Sequence, residues 1–231
     1  MDHSLFDQRH YPVLSVRAGY GEWAQTYDGV VQDEMDLRLL GRLKSVDWAT
    51  RTAVLDLACG TGRIGAWRRS QGVARLDGLD LTPEMLTQAR TRGCYDRLFL
   101  ADLRQTGLPD ASYGLIVESL ADEHLPELLA IYREAARLTR PGGCFVLVGY
   151  HPHFLMNGVP THFARDNGEQ ATIESHVHLF SDHVKAAHEA GWALAEMDEG
   201  VVDDAWIRKK PKWERYRNHP VSFALVWCKP D

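Results

Sequence analysis

The segment Val54-Leu55-Asp56-Leu57-Ala58-Cys59-Gly60-Thr61-Gly62-Arg63-Ile64-Gly65 concentrates residues whose types and spacing could do chemistry. Gly60, Gly62 and Gly65 satisfy GxGxxG after an apolar run, and Asp80 stands 20 residues beyond Gly60. Such a turn lets backbone approach a ligand closely, and an acidic residue at that interval is placed to accept hydrogen bonds from ribose hydroxyls. The turn alone is compatible with a dinucleotide. A pyrophosphate, however, needs bare helix N–H groups and no adjacent carboxylate. Asp56 precedes the first glycine by four residues at the exit of the run. A carboxylate there favours a ligand carrying an ammonium or a sulfonium and no phosphate.

These residues need a parallel sheet to hold them. Short apolar runs at 52–57, 75–81, 97–101, 113–119 and 144–150 alternate with helical patterns, the signature of such a sheet wrapped by helices. Thr82-Pro83 opens one helix, with Thr as cap and Pro in the first turn. Leu125, Leu128, Leu129, Tyr132, Ala135, Ala136 and Leu138 recur at three-to-four spacing and predict an amphipathic helix over 125–139, ended by Pro141-Gly142-Gly143. Residues 21–45 predict two helices ahead of the sheet. Residues 151–178 read as an irregular insertion, 181–190 as a helix, and 192–202 and 221–228 as the last two strands, joined by a long loop over 203–220. A loop between neighbouring strands allows an antiparallel pair. The expected fold is α/β: a Rossmann-like, seven-stranded, mostly parallel sheet with helices on both faces and an antiparallel C-terminal edge strand pair. One domain over 1–231 is expected. It comprises a helical cap (1–50), a cofactor-binding core (51–150), and an insertion with C-terminal strands forming the substrate side (151–231).

The segment DLACGTGR at 56–63 resembles motif I of the class I S-adenosylmethionine-dependent methyltransferases, small-molecule members of the methyltransferase domain 11/25 type. LDGLDLTPEML (76–86), Ala101-Asp102-Leu103, LIVESLADEHL (115–125) and LTRPGG (138–143) match the family pattern at the following intervals. The resemblance covers residues 20–150 by motif and the remainder by topology. It implies S-adenosylmethionine as cofactor, held by Tyr27, Asp56, Ala58, Gly60, Gly62, Asp80, Leu81, Asp102, Leu103 and Ser119. Asp80 would take the ribose hydroxyls and Asp102 the adenine amino group. Tyr27, in the Trp23-Ala24-Gln25-Thr26-Tyr27-Asp28 segment, would close over the cofactor, where an aromatic face stabilises a sulfonium by about 0.5–2 kcal/mol. His124 would shape the pocket floor. The activity implied is in-line transfer of the methyl group to a small molecule, which chiefly requires alignment and exclusion of water.

Beyond residue 150 the sequence offers composition more than motif. Seven of eleven histidines lie between 151 and 188. His151 and His153 follow the fifth strand, where ligands bind in open α/β sheets, and are the candidate bases for a protonated acceptor. The pairs His151/His153 and His176/His178 lack a carboxylate-linked metal design, so no metal is expected. Residues 208–217 hold six cations with Trp213 and Tyr216 interleaved and Trp206 just before. That segment reads as a solvated loop, a cover over an anionic small substrate, or a single-stranded nucleic-acid contact.

Composition narrows the field. The chain of 231 residues is 45% hydrophobic, with 26 basic and 32 acidic residues, for a formal charge of −6. An acidic total argues against a general polyanion binder. Four cysteines without CxxC spacing read as reduced thiols. No signal-like N-terminus and no membrane-spanning run is seen, so a cytoplasmic protein with a small-molecule substrate, no nucleic acid and no membrane partner is expected. Oligomeric state is not legible. Two other functional classes stay open: an NAD(P)-dependent oxidoreductase of Rossmann type, supported by GxGxxG, and a non-catalytic S-adenosylmethionine-binding module.

Overall fold

Parallel strands buried on both faces form the centre of the molecule, four of the five expected runs, with the run at 97–101 at the edge of the sheet. The structure, a computed structural model, describes residues 1–31, 34–50 and 53–230. Seven strands make the main sheet: β1 (Ala53–Leu57), β2 (Arg75–Asp80), β3 (Arg97–Leu100), β4 (Tyr113–Ser119), β5 (Thr139–Tyr150), β6 (Ala193–Val201) and β7 (Pro220–Cys228). Their spatial order is β3-β2-β1-β4-β5-β7-β6. The strands β1 to β5 run parallel, while β7 is antiparallel to both β5 and β6. The reversed strand therefore lies inside the sheet, between β5 and the edge strand β6. The strand expected over 52–57 starts at Ala53 among the described residues; Thr52 lies outside them.

Five helices matter for the site: α1 (Val16–Trp23), α2 (Arg63–Ser70), α3 (Pro83–Arg92), α4 (Leu129–Leu138) and α5 (Phe180–Glu189). One face of the sheet packs Leu57, Phe145 and Phe223 against Ile131, Tyr132 and Ala135 of α4 and Ala187 of α5. The other packs Val54, Leu76, Val117 and Val146 against Leu39, Leu40 and Ile64. The helix expected from residue 125 begins at Leu129, because Asp122–His124 forms a 3-10 turn and Pro126 follows it.

Three regions differ from their expected structure. Residues 21–45, expected as two helices, hold three short helical pieces among the described residues, the end of α1 with Tyr27–Val30 and Leu37–Leu40; residues 32 and 33 lie outside them. The insertion forms a hairpin, His162–Ala164 against Gln170–Ile173, and Val13–Leu14 adds to it in parallel. This small sheet ties the N-terminal segment to the insertion over a cluster of Trp23, Phe163, Ala171 and Ile173. The expected loop 203–220 contains a helix, Asp204–Lys209, and a 3-10 turn, Pro211–Tyr216. Trp206 and Trp213 are buried there with Met35, Phe154, Val202 and Val221. The interleaved aromatics are thus core side chains, and Arg217 turns outward to Glu214 and Asp204. No helix among the described residues is long and apolar enough to cross a membrane.

Candidate functional site

The turns leaving β1 to β4 enclose a cavity of about 470 Å³. Ala58 and Gly60 after β1, Asp80 and Leu81 at the end of β2, Asp102 and Leu103 after β3, Ser119 at the end of β4, and Tyr27 from the N-terminal segment all line it. Backbone conformation shapes this rim. Ala58 (φ 62°) and Leu120 (φ 59°), at the exits of β1 and β4, are in the left-handed region without being glycine. Such conformations cost energy and persist only where the surroundings hold them. Here the Leu120 amide is held by the Val148 carbonyl at 2.7 Å.

Asp80 is buried, and backbone amides fix both its oxygens. Gly60 N–H donates to Oδ2 at 2.8 Å and Thr82 N–H to Oδ1 at 2.8 Å. Burial raises its pKa while these amides oppose the rise. Each carboxylate oxygen has a second lone pair, so Asp80 can still accept two hydroxyl protons. Asp102 sits at the mouth of the cavity with its oxygens taken by Arg104, whose Nη2 donates to Oδ2 at 2.6 Å and whose backbone N–H donates to Oδ1 at 2.8 Å. Arg104 holds the Asp102 carboxyl below its ordinary pKa.

The opposite wall is aromatic. The Tyr20 ring packs edge-on to His124 with centroids 5.3 Å apart, and both line the cavity. His124 Nδ1 lies 2.8 Å from the Glu174 carbonyl, which can only accept, and Nε2 lies 2.8 Å from the Tyr20 hydroxyl. Burial lowers the His124 pKa to about 4, so the ring is neutral at pH 7. Nδ1 then carries the proton, and Nε2 accepts from Tyr20. Tyr27 is pushed well above its ordinary pKa by burial, which keeps it a neutral ring and donor.

Four expected residues lie elsewhere. Asp56 does not line the cavity: it is buried beneath the glycine turn, where the Tyr95 hydroxyl donates to Oδ2. Burial lifts its pKa to about 7, with Tyr95 and the Gly65 amide pulling the other way. Gly62 caps α2 and is likewise set back from the cavity, with a Cβ there meeting the Tyr95 ring at 3.0 Å. A Cβ on Gly65 would lie 2.3 Å from Tyr95 Cζ and Oη. The second and third glycines and Asp56 therefore serve Tyr95, and only Gly60 of the three glycines reaches the cavity.

His151 and His153 are also away from the cavity. At the end of β5 the chain turns toward β7 and β6, so His151 caps the helix Pro152–Met156 by accepting from His153 N–H, and its Nε2 faces Glu199 at 2.9 Å. His153 is exposed against His219. Neither reaches the crevice between β1 and β4, which corrects their expected position.

The sequence left several lining residues unmarked. Tyr20 had a legible signal, its helical spacing with Trp23 and Tyr27. Glu174 and His176 had none, because their place depends on pairings such as Asp2 with His176 across the chain. Among the described residues no group of three or more His, Cys, Asp or Glu is arranged to hold a metal.

With this geometry established, comparison with known proteins places the chain. Residues 55–147 match a methyltransferase domain family. The chain is 33% identical over 195 residues to the malonyl-[acyl-carrier protein] O-methyltransferase of Halorhodospira halophila, a match covering 81% of this chain and 61% of that protein. It is 36% identical over 140 residues to human methyltransferase-like protein 27, covering 55% of each. The chain thus spans 61% and 55% of the lengths of these two curated relatives. An S-adenosylmethionine-dependent methyltransferase from Mesorhizobium loti has the same fold, with a TM-score of 0.68 at 23% identity over 85% of this chain and 98% of that one. Residues 55–147, from β1 into β5, thus carry the likeness to a methyltransferase domain, and the fold is the one seen in an S-adenosylmethionine-dependent methyltransferase.

Proposed function

We propose that the chain binds S-adenosylmethionine in the cavity beyond β1 to β4 and transfers its methyl group to a small molecule. The observation that carries this reading is the Gly60 amide. It is bonded to the Asp80 carboxylate, so the backbone donor that a pyrophosphate would take at a glycine turn already holds an anion. A phosphate there would meet a buried carboxylate; a ribose would meet its free lone pairs. Asp80 would hold the ribose, Asp102 the adenine amino group in competition with Arg104, and Tyr20 and Tyr27 would present aromatic faces to the sulfonium. When bound, S-adenosylmethionine supplies a methyl group on an already activated leaving group. The chain's own task is to position and to exclude water. A neutral His124, with both nitrogens engaged, fits a positioning role better than that of a general base.

The test is production of S-adenosylhomocysteine from S-adenosylmethionine across a panel of small oxygen, nitrogen and thiol acceptors. Asp80→Ala removes two charge-assisted hydrogen bonds to the ribose and raises KM for S-adenosylmethionine about tenfold to a hundredfold. An unchanged KM in a folded Asp80→Ala protein contradicts the assignment.

A further inference from the structure

A second cavity, of about 530 Å³, lies behind the first. Three segments outside the strand-end turns supply most of it: the end of α1 with the residues after it, the insertion, and the 3-10 turn Pro211–Tyr216. Besides His162, its lining includes the rings of Trp23, Tyr150, Phe154, Phe163 and Trp213. Trp23 and Phe163 are stacked with centroids 5.4 Å apart and planes 10° from parallel, and Phe154 and Trp213 stack at 5.7 Å. Stacked pairs at these positions give the cavity flat apolar walls, the shape that takes a planar ring.

The two cavities share a wall. Trp23, lining the second, packs edge-on to Tyr27, lining the first, with centroids 4.8 Å apart. A polar link runs beside these rings. Thr161 of the second cavity donates to Glu123 Oε1 at 3.1 Å, and Glu123 lies 3.5 Å from His124 of the first. A molecule in the second cavity is therefore one side-chain layer from the proposed cofactor.

The mouth of the second cavity is cationic. Lys212 lines it, is exposed, and has no hydrogen-bond or ion-pair partner among the described residues. Arg9 lies next to it, with its guanidinium bonded to the His162 ring and to no carboxylate. Arg165 is also on the rim, matched by Glu22 at 2.8 Å. Asp166 is the one acidic side chain among the lining residues, and it is exposed to solvent. His162 is not free to act as a base: Nδ1 donates to the Pro160 carbonyl at 2.8 Å, and Nε2 accepts from Arg9. Burial lowers its pKa, and the fields of Arg9 and Lys212 add to that.

We propose that this second cavity is a ligand site in its own right, divided from the first by one side-chain layer, and that it takes a small aromatic carboxylate, its ring against the stacked side chains and its anion toward Lys212 and Arg9. The inference rests on the cavity's own walls and charges and goes beyond the methyltransferase reading. It also gives the basic segment 208–217 a use at one residue, Lys212, while the aromatics of that segment build the wall.

Calorimetry on the full chain, with and without S-adenosylhomocysteine, tests it. The probes are phenylacetate, cinnamate and indole-3-acetate, each against its neutral amide. The acids are expected to bind about fivefold tighter than the amides, the size of one partly exposed charge pair. Lys212→Gln removes that preference, whereas Arg208→Gln, an equal charge change on an exposed residue off the cavity, retains it. Equal affinity for acids and amides, no binding of any probe, or indifference to Lys212→Gln overturns the proposal. If the acids bind with the Lys212 dependence and S-adenosylhomocysteine does not bind, the ligand site stands and the methyltransferase role falls. Binding of S-adenosylhomocysteine alone leaves that role intact and removes the ligand site.

Discussion

Asp56 shows how one carboxylate can belong to a cofactor motif and do its work out of reach of the cavity. It is buried, hydrogen-bonded to Tyr95, and raised to about 7 by burial. Because the folded-state value lies above the unfolded one, the native state keeps this proton where the unfolded chain has lost it. The associated stability is fully present below about pH 4 and is lost as pH rises toward 7. Burial raises Asp122 to about 7 as well, so part of the slope belongs to it. Asp56→Asn, which keeps the shape, should flatten the fall in Tm between pH 5 and pH 8 while leaving S-adenosylhomocysteine affinity within about twofold of the parent. Unaltered slopes, or loss of ligand affinity, would refute this account of Asp56. At the same scale, the cavity-lining positions of Asp80 and Asp102 were legible from sequence because each stands at or just past a strand end. The role of Asp56 was not, since Tyr95 lies 39 residues away and nothing local marks it as the partner.

At the scale of elements, the glycine turn is as much a packing device as a ligand device. Tyr95 fills the space that missing side chains at Gly62, Gly65 and Gly78 leave between α2, α3 and β2. Gly65→Ala places a methyl group against that ring and should destabilise the fold by about 1–3 kcal/mol in urea titration, the usual cost of overpacking. A change under about 0.5 kcal/mol would mean that Tyr95 moves freely. The 203–220 segment makes the complementary point. Trp206 is 1% exposed, so Trp206→Ala should cost about 3–5 kcal/mol by the same measurement, whereas a solvated loop would lose almost nothing. Sequence periodicity did not reveal this helix because it is one and a half turns long and Pro211 interrupts the pattern. What buries the tryptophans is contact with Met35, Phe154 and Val221, residues remote in the chain.

At the scale of the whole molecule, the strand-end turns build most of the first cavity and the additions to the sheet build most of the second. The parallel strands were readable because buried apolar runs and strand-end turns are local features. The position of β7 within the sheet, and the small sheet joining Val13–Leu14 to the insertion, depend on long-range pairing and left no local trace. The same limit explains His151 and His153: their place after β5 was correct in sequence, but the chain turns there toward Glu199 and His219. The central claim is electrostatic, that a carboxylate occupies the amide which a diphosphate would need. Titration calorimetry of the full chain with S-adenosylhomocysteine and with NADH measures it most directly. The account predicts one S-adenosylhomocysteine bound per chain and no heat from NADH; saturable NADH binding without S-adenosylhomocysteine binding would contradict it.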